Sequence, residues 1–162
     1  MDIRQASEAD ISILLTILRK SFADVAKRFQ LTVENCPKNL AFCTEQRIKD
    51  DFARNLKYYI LQEGGQPCGC VALEIANSTV CYLERLAVLP EYRRKGFGKA
   101  LARHVLATAI EMGMQRVEIG IISEDTELKD WYQKFGFVHK GTRKFDHLPF
   151  IVEFMCMELN GA

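Results

Sequence analysis

The chain has 162 residues, a length that suits one domain over residues 1–162, and its 22 basic and 21 acidic side chains leave a formal charge of +1. Apolar residues at 48% exclude intrinsic disorder, and the neutral balance removes the electrostatic argument for nucleic acid or an acidic membrane as partner. No apolar run approaches the roughly 20 residues that cross a bilayer, and Met1-Asp2-Ile3-Arg4-Gln5 does not read as a signal peptide, so a cytoplasmic protein is expected.

Ile3 to Ala6 reads as an opening strand, and Ser7 with Asp10 as a capping box that starts a helix. Ile11, Leu14, Leu15, Leu18 and Phe22 follow helical spacing. Residues 30–43 read as a loop, after which Thr44 caps a second helix to about Asn55 with Ile48, Phe52 and Leu56 on one side. Tyr58 to Leu61, Cys68 to Ala76 and Thr79 to Leu89 are strand-like and separated by Gly64-Gly65 and Asn77-Ser78, which predicts an antiparallel meander. A helix carrying Leu101, Val105, Leu106, Ala109 and Ile110 follows and ends at Gly113. Arg116 to Ile122 alternates as a strand, and Asp125 caps a short helix striped by Leu128, Trp131, Tyr132 and Phe135 that Gly136 ends. Phe137 to Thr142 and Phe150 to Leu159 form a closing strand pair. The expected fold is α/β (α+β), in the order β-α-α-β-β-β-α-β-α-β-β: a central sheet with helices on its faces.

Six cysteines (Cys36, Cys43, Cys68, Cys70, Cys81, Cys156) read as small apolar filler rather than a disulfide framework. Cys68 and Cys70 on a regular strand would share a face, but no second pair follows at zinc-site spacing. His104, His139 and His147 stand isolated, and no metal is expected.

The informative segment is Arg93-Arg94-Lys95-Gly96-Phe97-Gly98-Lys99, between a strand and a helix. Gly96 and Gly98 allow unusual dihedrals and close approach of backbone to a ligand. The free N–H groups of a helix's first turn, with its dipole, favour an anion there. Arg93, Arg94, Lys95 and Lys99 add formal charge. The pattern is neither a dinucleotide fingerprint nor a P-loop. The alternative is a tight strand-to-helix turn with a solvated basic patch.

Leu83 through Leu101, with Arg93, Gly96 and Gly98 at Arg-x-x-Gly-x-Gly spacing, resembles the acetyl-CoA motif of the GNAT acyltransferases (Gcn5-related N-acetyltransferases). Trp131-Tyr132-Gln133-Lys134-Phe135-Gly136-Phe137 is similar to a second element of that family, and the element order matches over essentially the whole chain. The resemblance implies a mostly antiparallel sheet of about seven strands, with a bulged strand that splays from its neighbour and acetyl-CoA in the V-shaped cleft. The pantetheine arm would pair with Leu86, Ala87 and Val88. The pyrophosphate would sit on the amides of Arg94, Lys95, Gly96, Phe97, Gly98 and Lys99. Where many members have an Asn that reaches the cofactor, this chain has Asp125, which is also a helix cap.

Acetyl transfer to an amine needs removal of a proton from the amine, stabilisation of charge on the carbonyl oxygen and a proton for the departing thiolate. The resemblance places Tyr132 as the acid; its stripe position alone would make it a core aromatic. Glu84 is the candidate base or else a paired surface carboxylate. Strand alternation puts Glu84 and Arg85 on opposite faces. A backbone N–H near Val88 would meet the oxyanion. The early helices, the loop from about Phe29 to Cys43 and the 143–149 loop with His147 would frame the acceptor site. The expected activity is an acetyl-CoA-dependent N-acetyltransferase working by direct transfer, with a small-molecule or peptide amine as acceptor. The alternative is a non-catalytic acyl-CoA sensor or regulatory module. Exposed strands at the sheet end are compatible with a homodimer.

Overall fold

A computed structural model describes residues 1–159. The elements are β1 (Asp2–Gln5), α1 (Ile11–Arg28), α2 (Glu45–Ala53), β2 (Lys57–Glu63), β3 (Gln66–Ile75), β4 (Val80–Val88), α3 (Phe97–Glu111), β5 (Arg116–Ile122), α4 (Thr126–Phe135), β6 (Val138–Lys144) and β7 (Ile151–Glu158). The seven strands form one sheet in the order β1-β2-β3-β4-β5-β7-β6, and only the β4–β5 pair is parallel. The order of strands and helices is the expected one. No helix among the described residues is long and apolar enough to cross a membrane.

The central strands are apolar on both sides because both faces of the sheet are covered. Tyr58, Ile60, Cys70, Ala72 and Ala87 pack under α1 and α2 with Leu14, Leu18 and Ile48. Tyr59, Leu61, Val71, Leu73, Leu83, Val117 and Ile119 pack under α3 and α4 with Leu101, Val105 and Tyr132. Helix α1 runs past Phe22 to Arg28, where the regular apolar spacing has already ended. Ala26 anchors that extra turn and a half against Leu31 and Cys36, with Phe42, Ile122, Leu148 and Phe150 packed around them. The loop after α1 and the turn between β6 and β7 therefore meet at the end of β5.

Two irregularities change which way side chains face. Leu61 pairs with Gly69 and Gln62 with Pro67, so Cys68 is an extra residue in β3. The bulge turns Cys68 towards α3 while Cys70 faces α1 and α2, so the two cysteines lie on opposite faces, against the expectation from alternation. All six cysteines are free thiols.

The second irregularity is in β4. Cys70 pairs with Ala87 and Ala72 with Glu84, which leaves one extra residue in β4, and Arg85 takes a left-handed φ of 53° there. Gly69 lies across from this bulge: a Cβ on it would stand 2.6 Å from the Ala87 carbonyl oxygen, so only glycine lets the strands approach so closely.

Strand β5 pairs with β4 only from Val80 to Tyr82, opposite Arg116 to Glu118. Among the described residues the edge of β4 that faces β5 has no strand partner from Leu83 to Val88, and the two strands fork.

Candidate active site

The loop after β4 leads directly into α3. Arg94 and Gly96 both hold left-handed backbone, with φ of 64° and 81°. Gly96 is the residue before the first helical turn, and α3 has no side-chain cap, in contrast to α2, capped by Thr44, and α4, capped by Asp125. Ala100 is the first residue of the helix to find a partner, donating to the Gly96 carbonyl at 3.0 Å. The amides of Phe97, Gly98 and Lys99 stand in the first turn, where no intrahelical partner is open to them. Arg94, Lys95 and Lys99 are exposed around them.

Arg93 is placed differently from the other basic residues. Its guanidinium donates to Asp24 at 2.8 Å and to the Ser21 carbonyl at 2.8 Å on α1, and to the Val88 carbonyl at 3.1 Å. Its charge is balanced by Asp24, so it ties the loop to α1 rather than adding free charge beside the helix start. It also occupies part of the Val88 carbonyl.

Gly98 marks the centre of the arrangement. A Cβ built there would stand 3.7 Å from Val88 Cγ2 and 3.7 Å from Trp131 Cζ2. The end of β4, the first turn of α3 and the aromatic stripe of α4 thus converge, and with them the two sequence motifs. Tyr132, next to Trp131, is buried with its ring edge-on to Trp131 and Phe137. Burial pushes its phenol above the usual tyrosine range, which makes it a weaker acid than an exposed tyrosine. Asp125 caps α4 by accepting from Leu128 N–H at 3.2 Å and is ion-paired with Arg28 of α1 at 3.0 Å. Both of its oxygens have protein partners.

Glu84 and Arg85 do not lie on opposite faces. The bulge brings them together, with Arg85 donating to Glu84 at 2.8 Å. Burial foremost, then the neighbouring Glu74, push the Glu84 carboxyl up to about 8 against the pull of Arg85.

Sequence reading missed the group behind this pair. Asp51 of α2, 3% exposed, accepts from the Tyr58 hydroxyl at 2.6 Å, from Arg85 at 3.2 Å and from Arg54 at 3.0 Å. Arg54 also pairs with Glu74. The available signal was an acidic residue three positions after Ile48, on the buried stripe of α2.

A cavity of about 490 Å³ opens above this network, lined by Lys38, Phe42, Arg47, Asp50, Arg54 and Arg85 among others. The loop before α2 and α2 itself build it, and these are segments expected to frame an acceptor. His147 stacks edge-on with Phe145 in the β6–β7 turn, and His139 contacts Glu153 at 3.0 Å on β7. His104 of α3 lies edge-on against the buried Tyr59 of β2, and partial burial lowers its affinity for a proton.

Residues 23–137 match the model of the acetyltransferase (GNAT) family. An uncharacterised N-acetyltransferase of Mycobacterium tuberculosis (strain ATCC 25618 / H37Rv) is 40% identical over 63 residues, 39% of this chain and 40% of that protein. The chain thus matches about two fifths of the length of this relative. Among solved structures, the ribosomal-protein-alanine N-acetyltransferase of Escherichia coli superposes with a TM-score of 0.79 at 15% identity, covering 99% of this chain and 95% of that one. A Salmonella typhimurium protein solved with its cofactor acetyl-CoA superposes with a TM-score of 0.71 at 19% identity, covering 100% and 95%.

Proposed function

We propose that this chain, which belongs to the acetyltransferase (GNAT) family, moves an acetyl group from acetyl-CoA to a primary amine, with both substrates held in the cleft where β4 and β5 part. The observation that carries this reading is the convergence of the uncapped start of α3, Gly98, Val88 and Trp131 at the open edge of β4. The residues fit a ligand with a diphosphate at one end and a long amide-bearing arm. Successive amides from Arg94 to Lys99 supply donors for the diphosphate, and the unpaired edge of β4 at Leu86, Ala87 and Val88 supplies strand-like partners for the arm. Acetyl-CoA supplies the activated acyl group as a thioester.

In this reading each side chain has one task. Tyr132, protonated at neutral pH as tyrosines are, donates its proton towards the departing sulfur. Glu84, its carboxyl pushed up to about 8, removes in its ionised form a proton from the incoming ammonium group directly or through water. A backbone N–H near Val88 meets the charge that develops on the carbonyl oxygen. Arg93 and Asp125 act through position, binding the α3 loop and the α4 start to α1.

The test is release of free CoA thiol from acetyl-CoA in the presence of a panel of primary amines. Thiol release in proportion to one class of amine supports transfer. Tight acetyl-CoA binding with no thiol release from any amine replaces it with a non-catalytic acyl-CoA sensor.

A further inference from the structure

We propose that the cavity over α2 holds an anionic group of the acceptor, so that the acceptor is an amine carrying a carboxylate, with Arg47 as the residue that recognises it. The inference deepens the acetyl-transfer reading and rests on it for where the amine must arrive.

Charge in the cavity is uneven. Four cations line the cavity: Lys38, Arg47, Arg54 and Arg85. Arg54 and Arg85 are committed, through Asp51, Glu74 and Glu84. Asp50, the other carboxylate in the wall, is exposed and held by the Gln46 side-chain amide at 2.9 Å. Arg47 is half-buried, and its side-chain hydrogen bond among the described residues goes to the neutral carbonyl of Lys38. Burial, and then repulsion from Arg85, pull its guanidinium below the ordinary arginine range. A cation in that position gains from an anion that the protein does not itself provide. A guanidinium offers a planar pair of donors, the geometry that suits a carboxylate.

Position ties this anion site to the chemistry. Arg85 lines the cavity and is bonded to Glu84 at the β4 bulge. An acceptor with its carboxylate on Arg47 would thus share a cavity with Arg85, the direct neighbour of Glu84. Amino acids and compounds like them have this layout, with a carboxylate at one end and an amine to be acylated at the other.

The experiment uses the full chain and a panel of free amino acids, each paired with the amine left when its carboxylate is removed. With acetyl-CoA saturating, the best acceptor is expected to carry a carboxylate and to exceed its decarboxylated partner at least tenfold in kcat/KM. Arg47→Met should erase that gap by raising KM for the amino acid. It should leave kcat, the decarboxylated amine and acetyl-CoA affinity unchanged, and Arg47→Lys should restore part of the gap. Equal or better use of decarboxylated amines, or an equal loss on both partners in Arg47→Met, overturns the proposal while leaving acetyl transfer standing. Failure to bind acetyl-CoA sinks the acetyl-transfer reading by itself. The cavity is then judged by adding the same pairs to the protein alone and following the arginine side-chain NMR signal of Arg47. A shift with the amino acid and not with its decarboxylated partner supports an anion site, and no shift overturns it.

Discussion

The two sides of β4 build their halves of the candidate site from different materials. Towards α3 the parts are backbone: the uncapped amides of a helix start, left-handed residues at Arg94 and Gly96, and a strand edge with no partner beyond Tyr82. Towards α2 they are side chains: Asp51, Tyr58, Arg85 and Glu84, joined by hydrogen bonds in a part of the protein shielded from water. Backbone donors have the same chemistry in every sequence, which suits a ligand common to a family. Side chains can be exchanged one at a time, which suits a ligand that differs from member to member.

Gly98→Glu breaks the backbone half and has the largest expected effect. The glutamate would place a negative charge at the helix start, in the gap bounded by Val88 and Trp131. Acetyl-CoA affinity measured by calorimetry should fall by at least about a thousandfold, since both the anion site and the space are lost. Gly98→Ala is the control for folding. Its methyl meets neighbours at an ordinary 3.7 Å, so its melting temperature should match that of the original chain. If Gly98→Glu binds acetyl-CoA unchanged, the diphosphate does not sit there.

Asp51→Ala breaks the side-chain half through stability. It strands the Arg85 guanidinium, whose side chain is 10% exposed, and removes the acceptor of the Tyr58 hydroxyl. Leaving one partner of a buried pair uncompensated costs about 3 kcal/mol, and Arg54, much more exposed, adds little. Urea unfolding should show that loss with no change in m-value. A loss below about 1 kcal/mol would make this network a solvated one, and the contrast between the two halves would weaken.

Tyr132→Phe tests whether the second motif contributes chemistry or only packing. The ring lies between Trp131 and Phe137, and phenylalanine keeps both contacts. Turnover should drop by roughly 100-fold or more, as for loss of a general acid, while acetyl-CoA affinity stays within about twofold. An unchanged rate removes Tyr132 from the mechanism.

The same division explains what could be read from the chain. The α3 half was legible because its parts are contiguous: a strand, a proline, a basic run, two glycines and an amphipathic helix follow one another between Val80 and Glu111. Strands β2 to β4 were legible for a similar reason, since short turns join them. The α2 half was not, because Asp51 and Arg85 are 34 residues apart and meet only once the sheet is formed. The resemblance implied a bulge in β4, but neither its effect on side-chain facing nor the second bulge in β3 was legible. One extra residue in β3 separates Cys68 from Cys70, and one in β4 brings Glu84 beside Arg85, both against strict alternation. Arg93 shows a third limit. Its place in the motif marks it as basic, but its partner Asp24 lies on a helix turn that apolar spacing did not reach.

The smallest expected effect sharpens the comparison most, because it reads the α2 half as chemistry. Glu84 titrates at about 8 in the folded chain, well above an ordinary carboxylate. Its ionised, proton-accepting form therefore grows as pH rises through 8, and kcat/KM should climb by about tenfold between pH 7 and pH 9. Ionisation of the amine itself contributes to that climb, so Glu84→Gln is the comparison: the part of the slope owed to Glu84 should vanish. Stability should move the other way. Between the ordinary carboxylate range and pH 8 the folded chain holds a proton that the unfolded chain has released, so the free energy of unfolding falls as pH rises through that window. Glu84→Gln should flatten this fall in urea titrations at pH 5, 7 and 9. A rate profile unaffected by the substitution, together with a flattened stability curve, would leave Glu84 buried and titrating but outside the reaction, with the base then to be sought elsewhere along the wall that Arg85 shares with the α2 cavity.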